Sequence, residues 1–134
     1  MNIDIKDNCI LSFSKVESLG GNCVIEKYSL CEQAIKDFQK GDKFLSDRIG
    51  WKKKDWSITT NDSIPDRLTH ELNIFWDNSV KELQTELKAV LSKEGNYFCY
   101  YYKTASTQDI PNIIIAYICD IENEYIYILQ SDLN

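Results

Sequence analysis

The alternation of apolar and polar positions predicts a β-hairpin near the start of the chain. Cys9, Leu11 and Phe13 occupy alternate positions, and serines flank the last of them, which is the period of two expected for a half-buried strand. Two glycines at 20–21 provide a turn, and residues 23–28 form a second strand-like segment. We therefore expect the chain to open with two antiparallel strands.

A short helix is predicted directly after this hairpin. Ser29 and Glu32 have the spacing of a helix capping box, and apolar residues follow at helical spacing until Gly41. This pattern predicts a helix over residues 30–40. Residues 41–63, in contrast, carry isolated large apolar side chains that fit neither a helical nor a strand period, so the pattern assigns them no element.

A longer helical pattern covers residues 65–94. Apolar residues recur at steps of three and four, and Gly95 ends the pattern. Ser79 and Glu82 form a second capping box inside the segment, so one long helix and two consecutive helices both remain open. In either arrangement an apolar stripe faces the sheet, and its main members are Leu72, Phe75, Trp76, Leu83 and Leu87.

Beyond Gly95 the period changes to two and tyrosine and isoleucine dominate, which predicts strands over residues 97–104, 112–121 and 125–130. Short connections between them favour a three-stranded antiparallel meander. Both faces of the middle strand are apolar, so both must be covered. We therefore predict an α+β fold: an antiparallel sheet that includes this C-terminal meander, packed against one long or two consecutive helices.

Length and composition indicate one domain in the cytoplasm. The 134 residues, 43% of them apolar, are enough for a single globular core, so we expect one domain over residues 1–134. Asp4 and Asp7 precede any apolar run, unlike the basic start of a signal peptide. The longest apolar runs are far shorter than the roughly 20 residues of a membrane helix. We expect a cytoplasmic protein without a membrane partner.

The cysteines give no sign of a metal site. The chain has five of them at irregular spacing, and only one histidine accompanies them. This spacing fits neither a zinc site nor a disulfide framework. The sequence therefore predicts reduced, mostly buried thiols, and it predicts neither a metal site nor a cofactor.

Catalytic groups are sparse, and the sequence predicts a protein that is not an enzyme. The only histidine, His70, has no nucleophile or second ligand at helical spacing. Cys99 has aromatic rather than cationic neighbours, which do not favour a reactive thiolate. One alternative stays open: a small-molecule binder or small enzyme with a pocket between helix and sheet, lined by Trp76, Tyr100 and Tyr102 and oriented by His70 or a carboxylate.

The net charge of −6 argues against nucleic acid as a partner, because phosphate binding requires a basic surface. Residues 52–54 are three consecutive lysines between two tryptophans, a pattern that could hold single-stranded nucleic acid. Acidic residues at 47 and 55 flank them, and no second basic block follows. We therefore expect a solvated loop at this position.

Acidic residues concentrate at the C-terminal end. From residue 104 onward the chain has five acidic residues and no lysine or arginine. Tyrosines share this segment, and tyrosine is enriched at interfaces, where acidic groups also steer basic partners. An ordinary sheet with acidic turns is the alternative interpretation. The predicted partner-binding residues are Asp109, Tyr117, Asp120, Glu122, Glu124, Tyr125 and Tyr127.

In size, acidity and richness in Asn, Ile, Lys and Tyr, the whole chain resembles the immunity proteins of bacterial toxin and immunity pairs, including those of contact-dependent growth inhibition systems. The resemblance lies in this profile and not in a motif, so it places no family residue on a position of this chain. It implies a non-enzymatic inhibitor that binds a cognate toxin domain, often a basic nuclease.

The oligomeric state is a separate expectation. The final strand-like segment, residues 125–130, carries no proline or lysine that would block an exposed sheet edge. Pairing of this edge with a second copy is a further hypothesis. We expect a monomer or a weak homodimer.

Overall fold

The computed structural model of the protein describes residues 12–20, 23–39, 49–59, 69, 72–73, 81–104 and 111–132. Thr69, Leu72 and Asn73 are helical. The elements with defined bounds are β1 (Ser12–Gly20), β2 (Cys23–Ser29), α1 (Glu32–Gln39), β3 (Lys52–Ile58), α2 (Glu82–Ser92), β4 (Tyr97–Thr104), β5 (Pro111–Asp120) and β6 (Tyr125–Asp132).

The six strands form one sheet in the order β1-β2-β6-β5-β4-β3, and every neighbouring pair is antiparallel. With helices on its faces, this sheet confirms the predicted α+β class. The N-terminal hairpin and the helix after it are also confirmed, as β1, β2 and α1. Strand β3 lies in the segment to which the sequence pattern assigned no element.

Strand β6 lies inside the sheet, between β2 and β5. The hypothesis that residues 125–130 provide an exposed edge is therefore wrong. Tyr125 pairs with Ser29 of β2 on one side and with Asp120 of β5 on the other. The order of strands along the chain does not reveal this arrangement, because β2 reaches β6 from the distant N-terminal hairpin.

Apolar side chains bury both faces of the sheet, as the two apolar faces of β5 predict. On the α2 face the buried cluster comprises Cys23, Ile25, Leu72, Leu83, Leu87, Val90, Leu91, Phe98, Ile114, Ala116, Ile118, Tyr127 and Leu129. On the α1 face it comprises Leu30, Ile35, Cys99, Tyr101, Tyr117, Cys119, Ile126 and Ile128. Alternate residues of β5 thus enter opposite cores.

Helix α2 does not continue back to residue 65. Lys81 has an extended backbone with φ −89° and ψ 143°, so α2 begins at Glu82. Of the two arrangements that the sequence left open, this excludes one continuous helix over 65–94. Leu83 and Leu87 are buried, with 1% and 0% of their surface exposed, and they belong to a core cluster that includes side chains of the strands. Phe75 and Trp76 of the predicted stripe, like Ser79 of the predicted second cap, lie outside the described residues.

A side chain of β1 caps the start of α2. The carboxylate of Glu17 accepts hydrogen bonds from the backbone N–H groups of Leu83 at 2.8 Å and Gln84 at 3.2 Å. The side chain of Lys81, the N-cap residue of α2, forms no capping hydrogen bond. Lys15, on the same face of β1, forms an ion pair with Glu82. The first turn of α2 is therefore held by the N-terminal hairpin.

The lysine run lies on β3, at one edge of the sheet, and not in a loop as expected. Lys52, Lys53 and Lys54 are all exposed and pair with consecutive residues of β4, so their side chains alternate between the two faces. Lysine on an edge strand discourages pairing with another strand. This placement accounts for the run without a ligand.

The prediction that the cysteines are reduced is correct in part. Cys23, Cys99 and Cys119 are buried and carry thiols. Cys31 is disulfide-bonded, contrary to expectation. Disulfide formation depends on the distance between two Cα atoms in the fold, and irregular spacing along the chain does not report that distance.

Candidate partner-binding surface

The turn between β5 and β6, residues 121–124, carries two exposed carboxylates of the predicted site, Glu122 and Glu124. Asp120 shapes this turn from inside, because only 4% of its surface is exposed. Its carboxylate accepts hydrogen bonds from the side-chain nitrogen of Asn123 at 2.8 Å and from the backbone N–H of Asn123 at 3.4 Å. Such local bonds are typical of aspartate in turns.

Glu124 has an unusual backbone conformation. Its φ is +61°, in the left-handed region that costs a residue with a side chain roughly 1–2 kcal/mol. Its carbonyl oxygen accepts a hydrogen bond of 2.8 Å from the N–H of Leu30, at the end of β2. This bond ties the turn to the segment that leads into α1.

The turn between α2 and β4 lies beside the turn between β5 and β6, because Asn96 joins the two turns. Asn96 is 2% exposed, and its side chain donates to the carbonyl of Val90 at 3.0 Å and accepts from the N–H of Ile121 at 3.2 Å. The backbone oxygen of Asn96 also accepts from the N–H of Thr59 at 2.7 Å. One buried residue therefore fixes the end of α2 and the β5–β6 turn through its side chain and the end of β3 through its backbone.

We call the surface made by residues 93–96, residues 121–124 and Ile58 the acidic end. Its exposed carboxylates belong to Glu94, Glu122 and Glu124. Lys93 is the one cation within the two turns, and it forms an ion pair with Glu122. Three negative charges against one positive charge leave this surface acidic.

Apolar groups lie at the same end of the sheet as these carboxylates. Ile58, the last residue of β3, is 51% exposed, which is unusual for a large aliphatic side chain in a sheet. It lies directly opposite Tyr97 of β4 in the strand register. Tyr97 and Ile121 are half-buried against the core of the α1 face. The acidic end therefore carries an accessible apolar group as well as a net negative charge.

Of the seven residues predicted to bind a partner, Glu122 and Glu124 are on this surface. Tyr125 is half-buried, and the ammonium group of Lys27 lies 3.9 Å from the centre of its ring. This contact occupies one face of the ring through a cation–π interaction. Asp109 lies outside the described residues.

The other three predicted residues are buried, and this corrects the prediction that they form a contact surface. Tyr117, Asp120 and Tyr127 expose 3%, 4% and 1% of their surface. Tyr117 packs edge-on against Tyr101 in the α1-face core, with ring centres 6.5 Å apart. Alternation along a strand places side chains on one face or the other, but it does not show whether that face is covered.

Tyr127 belongs to a polar contact between the sheet and α2. Its hydroxyl donates to the carboxylate of Glu86 at 2.7 Å, and Lys27 pairs with the same carboxylate at 2.8 Å. Burial raises the pKa of Glu86, but the hydrogen bonds and the charge of Lys27 outweigh this effect and lower it. Burial and the neighbouring carboxylate raise the pKa of Tyr127. These groups hold α2 on the sheet.

Some of the groups considered above for catalysis or metal binding belong to the described residues. They contain no group of three or more His, Cys, Asp or Glu side chains that could hold a metal ion. Burial, and then the charge of Asp120, raises the pKa of the Cys119 thiol well above its usual range, which opposes thiolate formation. Tyr100 and Tyr102, proposed above to line a pocket, are partly buried against the α2-face core, with ring centres 5.6 Å apart. His70 and Trp76 lie outside the described residues.

Sequence reasoning missed Glu94 and Ile58. Glu94 lies before the C-terminal acidic segment and outside it, and Ile58 belongs to the segment without a clear period. Glu94 precedes Gly95, which has φ +94° and marks the turn, so its exposure was readable from the sequence. Its position beside Glu122 was not, because it depends on the hydrogen bonds of Asn96.

The chain matches no protein-family model, and comparisons with curated proteins and with solved structures find no match. Among the described residues no helix has the length and apolar character needed to cross a membrane.

Proposed function

We propose that this protein is a non-enzymatic inhibitor that binds a basic protein through the acidic end. The partner we propose is a cognate bacterial toxin domain, as the resemblance to immunity proteins implies. The observation that carries the proposal is that three exposed glutamates, Glu94, Glu122 and Glu124, and the exposed side chain of Ile58 belong to two turns and a strand end that Asn96 joins through hydrogen bonds. We also propose that the C-terminal meander, with the helical segment packed across one of its faces, holds this surface in place. The pairing of β4 with β5 and of β5 with β6 supports this arrangement.

The electrostatics of this surface suit a basic partner. Complementary charge raises association rates and excludes partners of like charge. The two turns carry three glutamates and one lysine, and Lys93 already pairs with Glu122. A lysine or arginine of the partner would meet the carboxylates of Glu94 and Glu124, both of which are exposed.

The rigidity of the surface also supports a binding role. Residues that are ordered before binding lose less conformational entropy when a partner arrives. Asp120 and Asn96 are buried and fix both turns through side-chain hydrogen bonds. Glu124 keeps a left-handed backbone that glycine would adopt at lower cost, and such strain is often retained at functional sites.

Association kinetics test the proposal. The probe is the C-terminal domain of the protein encoded beside this chain, carrying an inactivating substitution so that it can be produced. We expect the association rate constant to fall steeply with added salt, and the double variant Glu122→Lys/Glu124→Lys to associate at least about tenfold more slowly at low salt. Dissociation should change less, because exposed charges at the edge of an interface act mainly on encounter.

A matched control is Glu82→Lys. Glu82 is an exposed glutamate at the first residue of α2, and the 11 residues of this helix span about 16 Å, so it lies at the end of α2 remote from the acidic end. Each variant is checked for native folding by circular dichroism. Glu82→Lys should leave association close to that of the unchanged protein.

Growth of bacteria that produce the active toxin domain provides a second measurement. Co-production of this chain should restore growth, and the double variant should restore it less. The proposal is wrong if the chain does not bind the domain, or if it binds with a rate that neither salt nor the double variant changes.

A further inference from the structure

Strands β1 and β3 are the two edges of the sheet, and they differ in the side chains that they expose. Among the described strands, β1 has a neighbour on one side only, namely β2. Lysines at three consecutive positions protect β3, whereas β1 carries one lysine and exposes Val16, which has 53% of its surface in contact with solvent. An edge strand presents backbone groups that can pair with a further strand. The two edges thus differ in how strongly they oppose pairing.

The sequence of β1 is complementary to itself. In the run Ser-Lys-Val-Glu-Ser at 14–18, a lysine precedes the central valine and a glutamate follows it. When two such strands pair antiparallel with Val16 opposite Val16, Lys15 of each chain lies opposite Glu17 of the other. A two-fold symmetric interface requires a surface that complements itself in this way.

We infer that β1 pairs antiparallel with β1 of a second copy of this chain, about a two-fold axis at Val16. The inference is independent of the proposed function, because the two surfaces are different. The acidic end includes the turn between β6 and β5, which β2 separates from β1 in the sheet, whereas Val16 lies in the middle of β1, opposite Glu26. We assign this edge to a second copy of the chain because Lys15 and Glu17, on either side of Val16, complement the same two residues of an antiparallel copy.

The two faces of β1 provide the contacts. On the α1 face, Val16 is apolar and exposed, and two such side chains directly opposite each other would cover one another. On the α2 face, Lys15 pairs with Glu82 but keeps 40% of its side chain exposed, so its ammonium group can also contact a carboxylate of the second copy. Two opposite-charge pairs, related by symmetry, would then flank the valine pair.

The interface is short. The register of β1 with β2 is regular from Lys15 to Ser18 and shifts on either side, between Phe13 and Lys15 and between Ser18 and Gly20. Such bulges bend a strand and interrupt pairing. With the two-fold axis at Val16, this regular stretch allows Lys15, Val16 and Glu17 to pair with their counterparts, and the dimer is expected to be weak.

Sedimentation of the full chain over about 1 µM to about 1 mM tests the inference. We expect the average mass to rise from one copy toward two with concentration, and Val16→Lys to raise the dissociation constant at least about tenfold, because it places two like charges at the axis. Ile49→Lys is the matched control: Ile49 is fully exposed at 101%, so the same substitution there should leave dimerisation unchanged.

Oxidative cross-linking tests the register. Val16→Cys places two thiols opposite each other at the axis, where paired Cα atoms are about 4.5–5.5 Å apart, within the range of a disulfide. The variant should form a covalent dimer that the unchanged chain does not form. Lys53→Cys, at the centre of the β3 edge, is the control and should not form one.

Three results would overturn the inference. The first is a strict monomer at the highest concentration, and the second is a dimer that Val16→Lys does not weaken. The third is a covalent dimer of Lys53→Cys but not of Val16→Cys, which would indicate pairing through β3. Circular dichroism confirms that each variant is folded, and neither measurement requires the toxin domain.

Discussion

Replacement of Glu17 by alanine should unfold α2 from its first turn. Glu17 accepts hydrogen bonds from the backbone N–H groups of Leu83 and Gln84, and both residues are only 1% exposed. Loss of a helix cap costs about 0.5–2 kcal/mol, and each buried donor left without an acceptor costs about 1–3 kcal/mol. Because the shorter side chain admits some water, we expect Glu17→Ala to lower the free energy of unfolding by about 2–3 kcal/mol.

Urea unfolding followed by circular dichroism measures this change. With a slope of about 2 kcal/mol per molar urea, the midpoint should fall by roughly 1 M. Glu17→Gln keeps an acceptor oxygen without the charge and should lose only about 1 kcal/mol. Amide exchange of Leu83 and Gln84 should accelerate in Glu17→Ala before that of the sheet.

Glu32→Ala provides a matched control for this experiment. Its side chain is 80% exposed and pairs with Lys36 on the surface of α1, so its removal should cost no more than about 0.5 kcal/mol. If Glu17→Ala changed stability as little as Glu32→Ala does, the carboxylate would not be the cap of α2.

Three further predictions concern the core, the strained turn and the polar contact beneath α2. Leu83→Ala should lower the free energy of unfolding by about 3–5 kcal/mol, because Leu83 is 1% exposed in the α2-face core. A melting temperature within about two degrees of the original would contradict this, because such a shift corresponds to a stability change on the order of only 0.5 kcal/mol. Glu124→Gly should leave thermal stability unchanged or raise it by up to about 1 kcal/mol, because glycine adopts φ +61° without steric cost; a loss above about 1 kcal/mol would show that the side chain itself holds the turn. The lowered pKa of Glu86 means that its charged form stabilises the fold above the ordinary carboxyl pKa of 4.5, and that this contribution disappears as the pH falls through the lower folded-state value. Glu86→Gln should therefore reduce stability more at pH 7 than in acid, and urea midpoints that differ equally at both pH values would refute the assignment.

The sequence predicted the elements of this fold better than their arrangement. Periodicity located the strands after Gly95 because alternate tyrosine and isoleucine residues face opposite cores. It did not locate β3, where three lysines interrupt the alternation at an edge that needs no buried face. It also did not place β6 in the centre, since strand order depends on contacts between distant segments.

The candidate site was predictable in its charge but not in its membership. The concentration of acidic residues located Glu122 and Glu124, which are exposed. Tyr127 was assigned to the surface because tyrosine is common at interfaces, yet its hydroxyl has an internal partner in Glu86. Nothing in the local sequence of either residue indicates this pairing, because α2 brings Glu86 to the sheet from an earlier part of the chain.

The central position of β6 also determines the order in which the chain can fold. Strands β4 and β5 are close along the chain and can pair early, whereas β2 reaches β6 only by closing the long loop between Ser29 and Tyr125. Until β6 is in place, Cys23 and Ile25 of the first hairpin have no sheet neighbour on that side, although both are buried in the finished protein. We expect the hairpin of β1 and β2 to dock last, and a nascent chain still lacking β6 to expose the apolar edge of β2 to other proteins in the cell.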